Sequence, residues 1–210
     1  VHPATLETLL INGPVGSIDI ALNDPGSNRL GIALIAHPNP VQGGTRDNKV
    51  VTSLAKVFFS LGYVAVRPNF RGIGATAGSF DKGIGETDDL VAVAEHMQRR
   101  FGPLPLLLAG FSFGSYVQTR VARRLDFERL ALIAPAVNRF DAQPVRADTL
   151  VVHGDEDDVV PLEAVLEWAK PQHLPIVVIP GGEHFFHGRL GQLQNIVLQW
   201  HKGHSGGGHA

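Results

Sequence analysis

The sequence predicts an α/β fold: a doubly wound, mostly parallel sheet of about eight strands, with helices on both faces. Three observations carry this. Short apolar bursts alternate with longer stretches of helical periodicity along nearly the whole chain. Bursts such as Leu30–Ala36 and Leu104–Ala109 are almost continuously apolar, as expected of strands buried on both faces. Glycine, proline and asparagine clusters punctuate the boundaries between the two kinds of stretch.

The elements follow in order. Residues 5–11 and 15–22 alternate loosely around Asn12-Gly13-Pro14, which predicts an antiparallel hairpin at one sheet edge. After the turn cluster 24–28 comes the buried strand 30–36, ending in His37-Pro38-Asn39-Pro40. Val50, Val51, Leu54, Val57, Phe58 and Leu61 recur at helical spacing within 47–61, and Gly62 stops that helix. A strand at 63–66, a glycine-rich loop at 71–81 and a helix at 86–100 come next. The strand 104–109 and the helix 115–124 flank Gly110-Phe111-Ser112-Phe113-Gly114. Strands at 130–134, 150–153 and 176–179, a helix at 162–169 and an amphipathic helix at 186–200 complete the pattern. One domain is expected over 1–202, with a flexible Gly/His/Ser tail at 203–210. Only Pro135 to Thr149 separate two successive strands, too few residues for a cap domain.

Composition narrows the function classes. The net charge of -2 gives no basic footprint for nucleic acid or acidic lipid. Without cysteine there are no disulfides, no thiolate nucleophile and no Cys-based zinc site, which fits a reducing compartment. Val1 to Thr5 show no basic region followed by an apolar core, and no apolar run reaches membrane-spanning length. A soluble, cytoplasmic protein with no nucleic-acid or membrane partner is therefore expected.

The chemistry centres on the pentapeptide. Strand, G-x-S-x-G, helix is the setting in which a very tight turn lifts a serine hydroxyl above a buried strand. Glycines two residues to either side let strand and helix pass closely, and the helix N-terminus favours negative charge at Ser112. A serine nucleophile needs a base within reach and a carboxylate to orient that base. Two segments at the carboxyl ends of later strands supply candidates: His153 to Pro161, with Asp155, Glu156, Asp157 and Asp158, and Gly181 to His187, with His184 and His187.

These features together resemble the α/β-hydrolases, in particular the small capless branch that includes dienelactone hydrolases and bacterial carboxylesterases. The resemblance covers nearly all of residues 5–201. The branch's acid turn, H-G-x-x-D-x-x-V-P, falls on His153, Gly154, Asp157, Val160 and Pro161. It implies that Asp157 is the acid and His184 the base, with Ser112 as nucleophile. One oxyanion-hole donor would be the Phe113 N–H, after the nucleophile. The other would come from the loop after the strand 30–36. There Asn39 is the one N–H donor between two prolines, where relatives often carry a His-Gly-Gly-type loop.

Competing readings are weaker. His184 and His187 have i, i+3 spacing but no evident third ligand, so no metal is expected. His37, His96, His153 and His173 are expected to be structural or exposed, and the tail's His204 and His209 to pick up metal only adventitiously. The loop Phe70 to Gly78 resembles a dinucleotide-binding turn, but Ala77 stands where G-x-G-x-x-G needs its last glycine, so no cofactor is expected. The expected activity is a serine hydrolase acting on a small ester-like substrate of short acyl chain, in a shallow cleft bounded by loops around Asn39, Phe70 and Phe185. A thioesterase, peptidase or acyltransferase with the same three residues is the alternative. A non-catalytic binding protein on the same scaffold is an alternative of another class.

Overall fold

Alternation along the central strands decides which face each side chain feeds. In Gly31–Ala36 (β3), Ile32, Leu34 and Ala36 join one core cluster, while Ala33 and Ile35 join another across the sheet. The same period of two divides Tyr63–Pro68 (β4), Leu106–Phe111 (β5) and Arg129–Ile133 (β6). Both faces must therefore be covered by helices. Lys49–Ser60 (α1) and Leu190–Ser205 (α5) cover one, through Val50, Leu54, Phe58, Leu193 and Val197. Ile84–Phe101 (α2), Phe113–Val121 (α3) and Leu162–Ala169 (α4) cover the other, through Leu90, Met97, Val117, Val121 and Val165. This computed structural model describes residues 5–205.

Leu6–Gly13 (β1), Gly16–Asn23 (β2), Leu150–Gly154 (β7) and Val177–Ile179 (β8) complete an eight-stranded sheet of order β1-β2-β4-β3-β5-β6-β7-β8. β2 pairs antiparallel with both β1 and β4, and every other pairing is parallel. From β3 the chain steps outward to β4, then crosses back to β5 on the other side. The loops after β3 and β5 thus leave adjacent strands at a topological switch point, where open α/β sheets form their ligand crevice. No helix lies between β6 and β7, so the sheet carries no cap there. No helix among the described residues is long and apolar enough to cross a membrane.

Several boundaries differ from the sequence expectation for physical reasons. The hairpin turn is Pro14-Val15, not Asn12-Gly13-Pro14, because Asn12 pairs with Ser17 and Gly13 with Gly16. Proline's fixed φ suits the first corner of such a turn. α2 begins at Ile84, before Glu86, whose carboxylate accepts the N–H groups of Asp81 and Gly83, both at 2.8 Å. α3 starts directly after Ser112, not at Ser115. The last helix begins at Leu190 and not at Phe186. Phe186 sits at φ 54° and Gly188 at φ 69°, which turns the chain before a helix can start. α5 runs on through Ser205, into the stretch expected to be a flexible tail. The rest of that stretch, 206–210, including His209, lies outside the described residues.

Candidate active site

Ser112 occupies a backbone conformation of φ 55° and ψ −116°, which costs a non-glycine residue about 1–3 kcal/mol. Hydrogen bonds hold it there. Its N–H donates to Ile133 O at 2.8 Å, and its carbonyl accepts from Tyr116 N–H at 3.2 Å and Ala136 N–H at 3.3 Å. Ser115 Oγ lies 2.7 Å from Gly110 O and accepts the Ile133 N–H at 3.0 Å, tying β5 to β6 beneath the turn. Gln118 Nε2 donates to Leu34 O and Ala109 O, each at 2.9 Å, tying α3 to β3 and β5. The flanking glycines are sterically required. A Cβ on Gly110 would lie 2.5 Å from the Gly114 carbonyl carbon, and one on Gly114 would lie 2.6 Å from His37 O.

Three expected residues meet at this turn. His184 Nδ1 is 2.7 Å from Asp157 Oδ2, and His184 Nε2 is 3.0 Å from Ser112 Oγ. A carboxylate beside Nδ1 places the imidazole proton on Nδ1, so Nε2 accepts from the serine hydroxyl. The other oxygen of Asp157 accepts the N–H groups of Val159 at 2.9 Å and Val160 at 2.8 Å. Burial of Asp157 works to raise its pKa. The hydrogen bonds from His184 and the Val160 N–H, with the nearby histidines, outweigh burial and hold it below the usual carboxylate range.

The rival residues are elsewhere. Asp155 Oδ1 accepts the Gly181 N–H at 2.6 Å, and Glu156 and Asp158 are exposed. His187 is exposed and pairs with Glu183. His184, by contrast, is buried.

Asn39 and Phe113 both border the crevice beside Ser112. Neither backbone N–H donates to an acceptor among the described residues. The Asn39 carbonyl accepts from Gln42 and Gly44 N–H at 3.1 and 2.9 Å, and its side chain accepts from Val41 N–H at 3.1 Å, which fixes the loop. His37 locks the same loop from below. Its Nδ1–H donates to Pro38 O at 2.7 Å, and its Nε2 accepts the Phe70 N–H at 2.9 Å. Burial lowers the His37 pKa to about 4, against a smaller opposing effect of the Pro38 carbonyl.

The crevice has a volume of about 300 Å³, and Asn39, Gln42, Asn48, Arg139, Val159 and Phe185 are among its lining residues. Phe70, expected at its rim, is instead core. It packs against His37 with ring centroids 4.5 Å apart and against Phe113 at 5.4 Å. The rest of the glycine-rich loop is tied to α2 and β2. Arg71 reaches Asp89 at 2.7 and 3.1 Å, and Thr76 Oγ1 accepts the Asp19 N–H at 3.0 Å. No residue of 70–78 lines the crevice.

Two contributors, Phe140 and Arg139, escaped the sequence reading. Phe140 stacks on Tyr116 at 4.8 Å and meets Phe113 edge-on at 5.0 Å, and Arg139 beside it reaches the crevice. His153, expected to be structural or exposed, is fully buried and structural. Its Nε2–H donates to Val160 O at 2.8 Å and lies 3.5 Å from Asp157 Oδ2, which braces the acid turn. The acid-turn pattern contained His153, but nothing in the sequence pointed to this bond.

The architecture is shared with solved structures. The chain is similar to a lid-free α/β serine hydrolase from Xanthomonas campestris, with 41% identity, a TM-score of 0.87, and coverage of 95% of this chain and 94% of that one. The chain belongs to the lidless α/β serine hydrolases. An α/β serine hydrolase homologue from Coxiella burnetii is 39% identical with a TM-score of 0.86, across 95% of this chain and 99% of that one. An uncharacterized protein of Rickettsia prowazekii is 32% identical over 204 residues, covering 90% of this chain and 86% of the relative. No protein-family model matches the chain. In this chain β6 and β7 are joined without an intervening helix, and Arg139 of that connection borders the Ser112 crevice.

Proposed function

We propose that the protein hydrolyses small carboxylic esters through an acyl-enzyme formed on Ser112. The observation that carries this reading is the hydrogen-bonded chain Ser112–His184–Asp157, with spacings of 3.0 and 2.7 Å, at the strained turn. Ser112 Oγ attacks the ester carbonyl while its proton passes to His184 Nε2. Asp157 holds the Nδ1–H tautomer and stabilises the imidazolium. Charge collecting on the carbonyl oxygen is met by the unpaired N–H groups of Asn39 and Phe113 and by the positive end of α3. Collapse breaks the bond to the leaving alcohol, which takes the proton from Nε2. Water, deprotonated by His184, then attacks the acyl-enzyme and releases the acid and free Ser112. No step calls for a cofactor.

The crevice of about 300 Å³ is at the small end of the ~300–1,000 Å³ usual for small-molecule sites. With no cap over it, this supports short acyl groups. Turnover of 4-nitrophenyl butyrate tests the reading. S112A and H184A should each lose on the order of 10⁴-fold in kcat, and the double variant little more, because the two act as a unit. Near-normal turnover by either single variant overturns it.

A further inference from the structure

We propose that this crevice selects esters carrying a carboxylate, held by Arg139. The proposal rests on the esterase reading of the same site. Arg139 is the one arginine or lysine bordering the crevice, and no aspartate or glutamate borders it. It is exposed, and among the described residues its guanidinium forms neither an ion pair nor a hydrogen bond. Eight other arginines are ion-paired, so an unpartnered one at the reacting serine is not the rule in this chain. Nearby acids do not neutralise it. Both oxygens of Asp157 are taken by His184 and two backbone N–H groups, while Asp141 and Asp158 are exposed and unpaired with it.

Its neighbours fix the position of its backbone. Asn138 Nδ2 donates to Val159 O at 3.1 Å, and the Phe140 ring is packed between Tyr116 and Phe113. The Arg139 N–H closes a turn onto Ala136 O at 3.4 Å, and Ala136 N–H is itself bonded to Ser112 O. The segment carrying the cation is thus anchored to the nucleophile's own backbone. The exposed side chain's planar fork matches the two oxygens of a carboxylate.

The test compares anionic and neutral esters of like shape. Monophenyl glutarate against phenyl 5-methylhexanoate places the charge on the acyl side. 4-Acetoxybenzoate against 4-acetoxybenzamide places it on the alcohol side. The kcat/KM ratio, anionic over neutral, should exceed one in at least one pair. R139Q should lower that ratio about 5- to 30-fold, modest because the crevice is open to solvent. R139E should lower it further, and R139K should keep part of it. R123Q, at an exposed residue in the turn after α3 that does not border the crevice, should leave it unchanged. Equal ratios in wild type and R139Q in both pairs overturn the proposal while leaving the esterase reading intact. If no ester is turned over, the esterase reading fails instead. Equilibrium binding of the same four compounds to S112A then decides the role of Arg139: tighter binding of a carboxylate, lost in R139Q, supports it, and equal binding overturns it.

Discussion

Replacing Asp157 by asparagine separates orientation of the base from every other role of this residue. Its Oδ1 accepts two backbone N–H groups, from Val159 at 2.9 Å and Val160 at 2.8 Å. Only an oxygen can serve there, so the new amide must turn its NH₂ toward His184. Nδ1 then becomes an acceptor, and the imidazole proton moves to Nε2, facing Ser112 Oγ as a donor. The serine loses its base while the turn keeps its hydrogen bonds. The expected loss is on the order of 10⁴-fold in kcat, about 5.4 kcal/mol. KM should change little, because Asp157 does not border the crevice. Steady-state hydrolysis of 4-nitrophenyl butyrate, with a thermal melt to verify folding, measures this. D155N and D158N should stay within a few-fold of wild type, since Asp155 serves a turn and Asp158 is exposed. A D157N enzyme within tenfold of wild type, or equal losses in all three, would refute the tautomer argument.

Other outcomes follow from the same geometry. His37 has its pKa lowered to about 4 by burial, so between pH 6.5 and 4 only the unfolded chain takes up this proton. Stability from this site is unchanged above pH 6.5 and falls by about 3 kcal/mol as pH drops to 4. Urea unfolding at pH 7.5 and 4.5 should show a steeper loss for wild type than for H37Q, and parallel losses would contradict the assignment. Asp157, whose pKa is lowered, contributes stability that is fully present above the ordinary carboxylate pKa and is lost only below it, so it adds nothing to the slope above about pH 4. Along 4-nitrophenyl esters from acetate to palmitate, kcat/KM should level or fall beyond about four to six carbons, because an open crevice buries few methylenes. No jump in rate should accompany emulsion, and a steady rise toward long chains would reveal a site that the crevice lacks.

The sequence made the centre of the site legible because each member sits in a short local pattern. The elbow glycines, the acid turn and the histidine loop are each set by a few adjacent residues, and the parallel run of β5 to β8 carries all three to the carboxyl end of the sheet. What stayed hidden depends on packing across the chain. His37 and Phe70 are 33 residues apart and meet through a hydrogen bond and packed rings, so Phe70 read as a rim residue until the fold buried it. Arg139 and Phe140 lie in a connection without regular structure, where periodicity carries no signal. Asn12-Gly13 read as the hairpin turn, but Pro14 moved the corner two residues on, and only the cross-strand register reveals that.

The most direct measurement is the site of covalent capture by a fluorophosphonate. The reagent phosphonylates an activated serine far faster than an ordinary one, so it reads the nucleophile without a known substrate. Intact-mass and peptide analysis should find one adduct per chain, on Ser112. It should be abolished in S112A and slowed on the order of 10³-fold or more in H184A, while H187A should label nearly as wild type does. An adduct on another serine, or none on the folded wild-type protein, would contradict the account.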